Sequence, residues 1–568
     1  MYQKLPILAC LLLCCWCNGL YAQQIEQMLR AKPVSISGNI GVTSIFYKAD
    51  GIPDRYLPFN YVITGSPVLS LYGMQIPITF VIGRQQSSFT QPFNQFGLSP
   101  SYKWVTIHAG YRNLSFSPYT LAGHTFLGGG VELNPGKFRL GAMYGQLNKA
   151  TALDTTQRLY FSNFTYKRMG MAMRVGYGTE SNFLDIIALK ARDDANSLRS
   201  YKGLADSSGI TPAENTVTGY NLRLSFWHQR LTFESNGALS LYTNDNNSPL
   251  IQDSSYDKDV KKLADLTRVR TSSELFSAVE AALRYKSRSF SVKLQYRRVD
   301  PGFQSMGAYF LNNDLENYTI APAFTAWKRK LRFSGSLGLQ RDDLMNSKRA
   351  RAHKVIGSAN VSADISQRFG IDGTYSNYSV NQTVKTIRFA DSLKVVQSSS
   401  QISVTPRYMI PGAVLSHTIL FSANLSNAKE LNPGRQDSLN GNINTGNYLL
   451  SYQVNLVPSQ ASLFLSLNHT SMKSQVLSDG NDGVTVGGSK SWWKNKLTFT
   501  ASGGYLLSKR NGEKGTILTG SLQGRYTFYG RHQLRLTGFY TGNTPDQPTA
   551  VYPRYSESRG EMSYIFSF

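Results

Sequence analysis

The chain ends in Glu557-Ser-Arg-Gly-Glu-Met-Ser-Tyr-Ile-Phe-Ser-Phe568, and this stretch decides the fold. Apolar or aromatic residues occupy every second position: Met562, Tyr564, Phe566 and Phe568. The residues between them are polar, with Ile565 as the exception. Side chains of a β-strand point alternately to its two faces, so the stretch predicts a strand with one apolar and one mostly polar face. An edge strand of a soluble β protein would alternate in the same way. The rest of the chain therefore has to show whether the apolar face of this strand meets a protein core or a membrane.

The N-terminus predicts export. Lys4 is followed by an apolar run from Leu5 to Trp16, and Ala22 precedes the polar pair Gln23-Gln24. A basic start, a short apolar run and a small residue before a polar stretch are typical of a secretory signal peptide, here residues 1–22. The run is too short for a comfortable transmembrane helix.

Cysteine and charge content restrict the chemistry of the exported chain. All four cysteines lie at positions 10–17, inside the predicted signal peptide, so disulfides, thiolate metal sites and cysteine nucleophiles are not expected. A lipoprotein signal at Cys10 is disfavoured because that residue lies within the apolar run. Lys and Arg number 60 against 35 Asp and Glu, a net charge of +25. This excess suits anionic solutes or phosphorylated lipid head groups. We expect no cofactor and no nucleic-acid partner.

Composition favours a membrane β-barrel. After the signal peptide no apolar run reaches about 18 residues, so no membrane-spanning helix is predicted. The chain contains 33 Tyr, 29 Phe and 48 Gly, and only 17% of its residues are charged. Membrane barrels show this mixture because their apolar signal is spread over many short alternating segments.

Connection lengths alternate along most of the chain. Short turns with Gly, Pro or Asn, such as Pro135-Gly136 and Pro411-Gly412, alternate with predicted long polar loops such as 193–215, 243–272, 471–481 and 508–513. In outer-membrane barrels the short turns are periplasmic and the long loops extracellular. Placing Phe568 in the periplasm gives this orientation, because the last long connection, 542–557, lies at the other end of the final strand.

Three of the short turns are near repeats. They read Trp227-His-Gln-Arg-Leu, Trp327-Lys-Arg-Lys-Leu and Trp492-Trp493-Lys-Asn-Lys-Leu. Tryptophan prefers the interface between membrane and water, where its ring is half buried and its N–H is wet. We therefore predict interface anchors at Trp227, Trp327, Trp492 and Trp493.

These patterns predict an all-β chain, a transmembrane antiparallel β-barrel of about 24 strands, with a range of about 20 to 28. The predicted organisation is a signal peptide (1–22), a short periplasmic segment (23–33) and the barrel (34–568). Two regions are uncertain. After a strand at 159–166 and a turn near Arg168-Met169-Gly170, separate strands at Met171–Tyr177 and Phe183–Lys190 would put the long connection 193–215 at the wrong end, so Met171–Ala191 is read as one long strand. Strands are predicted at Val34–Phe46 and Phe59–Leu71, but the end at which each connection of residues 34–134 lies is left open. The stretch 113–124 lacks alternation and is predicted to be a loop, folded into the lumen.

Two stretches carry a family resemblance. Gln91-Pro-Phe-Asn-Gln-Phe-Gly-Leu-Ser-Pro-Ser-Tyr-Lys-Trp104 and His108–Leu133, with Gly110-Tyr-Arg112 and Phe116-Ser-Pro-Tyr119, resemble uncharacterised outer-membrane β-barrel proteins of the Bacteroidota type. The terminal strand also resembles the C-terminal strands of such barrels, which end in an aromatic residue read by the barrel-assembly machinery. The resemblance implies an outer-membrane location, the assembly machinery as a partner, and an assembly signal at Tyr564, Phe566 and Phe568. It implies no activity.

The side chains on the polar face of the strands indicate what the lumen would contain. If the apolar face meets lipid, seven cations point into the lumen: Arg223, Arg284, Lys293, Arg297, Arg332, Arg525 and Arg535. A lipid-facing Arg at mid-membrane would cost about 2–4 kcal/mol, which supports this assignment. Few acids, Glu280 and Glu561 among them, are expected beside these cations. The seven cations either pair with acids and fill the lumen, or they form a cationic path for anions.

No catalytic or metal site is predicted. The seven histidines are scattered without metal-ligand spacing, and the loop-like Asp479-Gly-Asn-Asp-Gly483 lacks the complete calcium-loop pattern. A Ser–His pair would need a spatial adjacency that sequence does not reveal. We therefore do not expect an enzyme. The predicted function is a porin-like channel for polar, preferably anionic solutes, with no fixed metal or cofactor. The alternative is a non-conducting structural barrel that binds envelope proteins or lipopolysaccharide.

Overall fold

The computed structural model describes residues 33–72, 74–83, 95–150, 165–198, 210–251, 269–309, 311–346, 350–384, 396–430, 442–474, 477–550 and 552–568. The predicted signal peptide and nearly all of the segment 23–33 lie outside this part of the chain. Within it, no helix is long and apolar enough to cross a bilayer.

The described residues form 29 strands in one antiparallel sheet. The strands are β1 (Val34–Ser37), β2 (Asn39–Asp50), β3 (Phe59–Gly65), β4 (Val68–Leu71), β5 (Met74–Gly83), β6 (Gln95–Leu98), β7 (Ser101–Tyr102), β8 (Val105–Ser115), β9 (Ala122–Leu133), β10 (Phe138–Asn148), β11 (Arg168–Gly178), β12 (Phe183–Asp193), β13 (Glu214–Phe226), β14 (Leu231–Thr243), β15 (Ser273–Lys286), β16 (Phe290–Val299), β17 (Leu315–Ala326), β18 (Leu331–Arg341), β19 (Ala350–Asp364), β20 (Phe369–Val384), β21 (Val396–Ile410), β22 (Leu415–Glu430), β23 (Asn442–Leu456), β24 (Ala461–Lys473), β25 (Ser478–Trp492), β26 (Leu497–Arg510), β27 (Glu513–Phe528), β28 (His532–Pro545) and β29 (Tyr555–Ser567).

The sheet closes on itself. The last strand, β29, pairs with β2 over twelve residues, from Asn39 opposite Ser567 to Asp50 opposite Ser556. The result is a closed barrel of 26 strands with three extra strands, which confirms the predicted architecture. A circular ring of this size, with strands about 4.8 Å apart and tilted roughly 40°, would be about 50 Å across. Closure removes the sheet edges, so every wall strand finds hydrogen-bond partners on both sides.

The barrel has two distinct ends. The tight turns, including Trp227–Arg230 and Trp493–Lys496, lie at the end that holds the C-terminus, which we call the turn end. There the Phe568 N–H donates to the Gly38 carbonyl at 3.0 Å, and the Gly38 N–H donates back to the Phe568 carbonyl at 2.9 Å. The opposite end, which carries the longer connections, is the loop end.

The first hundred residues are more broken than predicted. The expected strand from Val34 to Phe46 is split at Gly38, whose φ of +134° suits glycine. The expected strand from Phe59 to Leu71 is split at Ser66-Pro67, and β4 pairs with β1 and with the start of β5. These short pieces, β1 and β4, extend the wall past Phe568 at the turn end.

The reading of residues 159–191 was wrong. Arg168, Met169 and Gly170 do not form a turn but begin β11, which pairs directly with β10. Residues 159–164 of the predicted strand lie outside the described part. Met171–Ala191 is not one strand but a hairpin of β11 and β12, with its turn at 179–182. With this correction the connections from β8 to β29 lie alternately at the loop end and at the turn end.

Two predicted long loops are also wrong. Most of 471–481 belongs to β24 and β25, and most of 508–513 belongs to β26 and β27, so both connections are short. The acidic run Asp479–Gly483 is therefore strand and not loop. These ladders continue after the apolar face has ended, because backbone hydrogen bonding does not need an apolar side chain.

Candidate functional site: the lumen

Strand register separates an outer from an inner face. On β11, Met171, Met173, Val175 and Tyr177 point outward and are half or more exposed, whereas Ala172 points inward and is buried. The same alternation runs around the ring, with apolar side chains outside. A lipid-facing wall explains this arrangement, because the exposed apolar band meets hydrocarbon.

The lumen is filled along one arc. Two loop-end connections fold inward and pack on each other: residues 116–121 and residues 300–309, which together we call the inner partition. Ser305 Oγ donates to the Thr120 carbonyl at 2.6 Å, and the Ala122 N–H donates to the Gly307 carbonyl at 2.9 Å. The rings of Tyr119 and Phe303 meet edge to face, 6.1 Å apart. The predicted lumenal fold of 113–124 is correct for its central part, since its ends belong to β8 and β9.

The wall behind the partition is apolar on its inner face. Ile187 and Leu189 of β12, Val217 of β13 and Ala238 of β14 point inward and join Phe303 in one buried cluster. The Met306 N–H donates to Asn215 Oδ1 at 3.0 Å, which fixes the partition to β13. We call β9–β16 with the partition the filled arc.

Along β18 to β28 the described residues leave the inner face of the wall uncovered. Among the described residues from 344 to 536, the only buried ones are glycines. The inner face there is lined by small polar residues that pair across strands, such as Ser336 with Ser358 at 2.7 Å and Ser502 with Ser521 at 2.7 Å. We call β18–β28 the open arc. Its inner face suits water and polar solutes.

All seven cations singled out by sequence lie on the inner face. Three of them have carboxylate partners. Arg223 lies 3.3 Å from Glu234, Arg332 lies 3.0 Å from Asp364, and Arg297 lies 3.9 Å from Glu280. Each of these three cations therefore has an acidic neighbour in the lumen.

The other four have no carboxylate oxygen within 4.0 Å in the described part of the chain. Arg284 lies directly opposite Lys293 on β16, and Arg525 lies directly opposite Arg535 on β28. Like charges opposite one another on neighbouring strands are destabilising. Both uncompensated pairs therefore add positive potential to the lumen.

Sequence reasoning missed most of the lumenal ion pairs. The expectation of few inward acids is wrong, because Glu132, Asp185, Asp193, Asp364 and Asp372 also lie inside. Their partners are Arg174, Arg139, Arg168 and, for the last two, Arg407. The period-2 count could have found these residues individually. Their pairing depends on the register between neighbouring strands.

The turn end carries the predicted tryptophans. Trp227, Trp327 and Trp493 begin tight turns with φ values of 51°, 49° and 52°, and their side chains are largely exposed. Trp492 lies on the outer face of β25, where the Lys490 ammonium is 5.7 Å from its ring centroid. Four aromatic side chains at one rim are placed where an interfacial girdle is needed.

The terminal aromatic residues lie at the closing seam. Tyr564 and Phe566 face outward, opposite Val42 and Ile40 of β2. The rings of Phe566 and Phe568 are 5.4 Å apart. The predicted assembly signal thus occupies the outer surface of the joint that closes the barrel.

A Ser–His adjacency does occur on the inner face. Ser99 Oγ lies 2.8 Å from Nδ1 of His108, and Nε2 of His108 lies 3.3 Å from Oε2 of Glu132. The same carboxylate also binds Arg174 at 3.2 Å, so its charge is shared. The contacts tie the end of β6 to β8, β9 and β11. No group of three or more potential metal ligands occurs in the described residues.

No family model matches this sequence, and the comparison with curated proteins gives no match. Among solved structures, the translocation pore of the P pilus usher PapC matches with a TM-score of 0.38 and 8% identity, over 94% of this chain and 99% of that one. OpdK of Pseudomonas aeruginosa, solved with vanillate, matches with a TM-score of 0.30 and 11% identity, over 63% of this chain and 93% of that one. OccAB4 of Acinetobacter baumannii matches with a TM-score of 0.30 and 10% identity, over 63% and 92%.

These TM-scores are too low to support an argument, so the assignment rests on the strand pairing itself. The closed ring, the apolar outer face and the aromatic rim define the chain as a transmembrane β-barrel of the outer-membrane type.

Proposed function

We propose that this barrel is a pore of the outer membrane that passes polar solutes and prefers anions. One observation carries the proposal: the open arc presents a polar inner face on which Arg525 and Arg535 lie opposite each other without a carboxylate partner in the described residues. Low-dielectric walls focus such charge and concentrate counter-ions. With the turn end in the periplasm, solutes would enter at the loop end.

The preference for anions is tested by removing this pair of charges. In planar bilayers under a salt gradient, Arg525→Gln together with Arg535→Gln should shift the reversal potential toward cations, because the path loses two uncompensated positive charges. The shift should shrink at high salt, since the Debye length falls from about 10 Å at 0.1 M to about 3 Å at 1 M.

The matched control removes one charge of each sign from the next strand. Arg559 and Glu561 of β29 form an ion pair at 2.5 Å, so replacing both with Gln leaves the net lumen charge unchanged. The reversal potential should then stay at the parent value. An equal shift in both double variants would contradict the anion preference. A parent without conductance would contradict the pore and favour a structural barrel that binds envelope proteins or lipopolysaccharide.

A further inference from the structure

A small chamber lies on the inner face at the turn end of the filled arc. Its volume is about 310 Å³. The turn between β11 and β12 closes it from one side. Ser225 donates its N–H to Asn182 Oδ1 at 2.6 Å, and Gln229 Nε2 donates to Ser181 Oγ at 3.1 Å. These bonds join two turns into one rim.

Four of the nine residues that line the chamber are cations. Arg223 of β13, Arg230 of the following turn, and Arg284 and Lys286 of β15 all border it, with Glu180 as the acid. Hydroxyl groups complete the lining, from Ser181, Ser225 and Thr232. Guanidinium, ammonium and hydroxyl donors together are the groups that bind oxyanions in proteins.

Two cations of the chamber have no acidic partner among the described residues. Arg223 forms an ion pair with Glu234 at 3.3 Å. Neither Arg284 nor Lys286 has a carboxylate oxygen within 4.0 Å in the described part of the chain. Lys293, opposite Arg284, adds a further cation next to the chamber. The Nε of Arg223 is buried and has no hydrogen-bond acceptor in the part of the chain that the structure describes. A buried donor without a partner costs free energy unless a ligand or water supplies the acceptor.

We propose that this chamber is a binding site for a small multivalent oxyanion of the phosphate type. Such a ligand would compensate Arg284 and Lys286 together and could supply acceptors for the hydroxyl groups of the rim. The inference deepens the proposed function and rests on it in one respect, since a solute crossing the lumen reaches this site at the turn end. Binding itself does not require conduction.

The test measures the affinity of inorganic pyrophosphate for the purified full-length barrel in detergent by isothermal titration calorimetry. Arg284→Gln with Lys286→Gln should weaken binding by tenfold or more, because charge-assisted hydrogen bonds are roughly twice as strong as neutral ones. The control Lys494→Gln with Lys496→Gln removes the same charge from the exposed turn between β25 and β26, on the other side of the ring, and should change the affinity by less than about twofold. Heat-modifiable migration on gels verifies that each variant folds.

The outcomes separate the site from the pore. Absence of pyrophosphate binding to the parent, or equal weakening by both double variants, would overturn the site. A conducting, anion-selective parent that fails to bind pyrophosphate refutes the site and leaves the proposed function intact. A parent that binds pyrophosphate but does not conduct supports the site and refutes the pore.

Discussion

The filled and open arcs both have an apolar outer face, but the inner face is apolar in the filled arc and polar in the open arc. On β12, in the filled arc, Ile187 and Leu189 point inward and are buried under the partition. On β19, in the open arc, the inward positions include Ser358 and Ser362, which face the lumen. Lipid imposes the same requirement on every outer face, so it cannot distinguish the two arcs. The side chains of the inner face instead differ with what they contact in the lumen, which is the partition in one arc and open space in the other.

The comparison is tested most strongly by truncating one phenylalanine in each arc. Phe303 of the partition is fully buried, whereas Phe464 of β24 points into the open lumen and lies over Gly487. Phe303→Ala should lower the free energy of unfolding by about 3–5 kcal/mol, because a buried cavity is left behind. Phe464→Ala should cost about 1 kcal/mol, since water already reaches its ring. Urea titration in detergent measures both.

Equal losses in the two variants would show that the partition is not a packed element. A loss confined to Phe464→Ala would reverse the assignment of the arcs.

Thiol accessibility gives a second comparison. Ala238 of β14 points inward and is covered by the partition, and Gln523 of β27 points inward and is exposed. Single cysteines at these positions should react with a hydrophilic maleimide at rates that differ by more than about tenfold, because position 238 has to open before it reacts. The four cysteines of the chain lie in the predicted signal peptide, so they are not expected to compete. Mass spectrometry follows both rates.

Similar rates at 238 and 523 would mean that the partition leaves the wall often, and that the filled arc also belongs to the solute path.

Much of this comparison was accessible from sequence. The period-2 pattern placed all seven cations on the inner face, and the missing alternation between Asn113 and His124 marked a segment that leaves the wall. The second half of the partition could not be found in this way, because Phe303 lies more than 180 residues from Phe116. Contacts over such distances depend on closing the ring.

The ends of several strands could not be predicted from the sequence pattern. Strands such as β24 and β25 extend past the apolar band, where Ser, Asn and Gly occupy both faces and the alternation disappears. Their backbone ladders continue, so a polar stretch that resembles a loop is a strand. Ion pairs were hidden because they form across strands. Arg407 meets Asp364 and Asp372 only through the register of β19, β20 and β21.

The smallest expected effect concerns one hydroxyl of the partition. Tyr119 is buried and donates to Glu280 Oε2 at 3.1 Å, and burial raises its pKa to about 12, so it stays a donor at neutral pH. Tyr119→Phe keeps the packed ring and removes this bond, which should lower the free energy of unfolding by about 1 kcal/mol in the same urea titration. Tyr378 provides the control, because it points into the open arc and its side chain is exposed. Tyr378→Phe should therefore change stability by less than about 0.5 kcal/mol. If Tyr119→Phe were equally neutral, the bond to the wall carboxylate of β15 would not contribute to holding the partition.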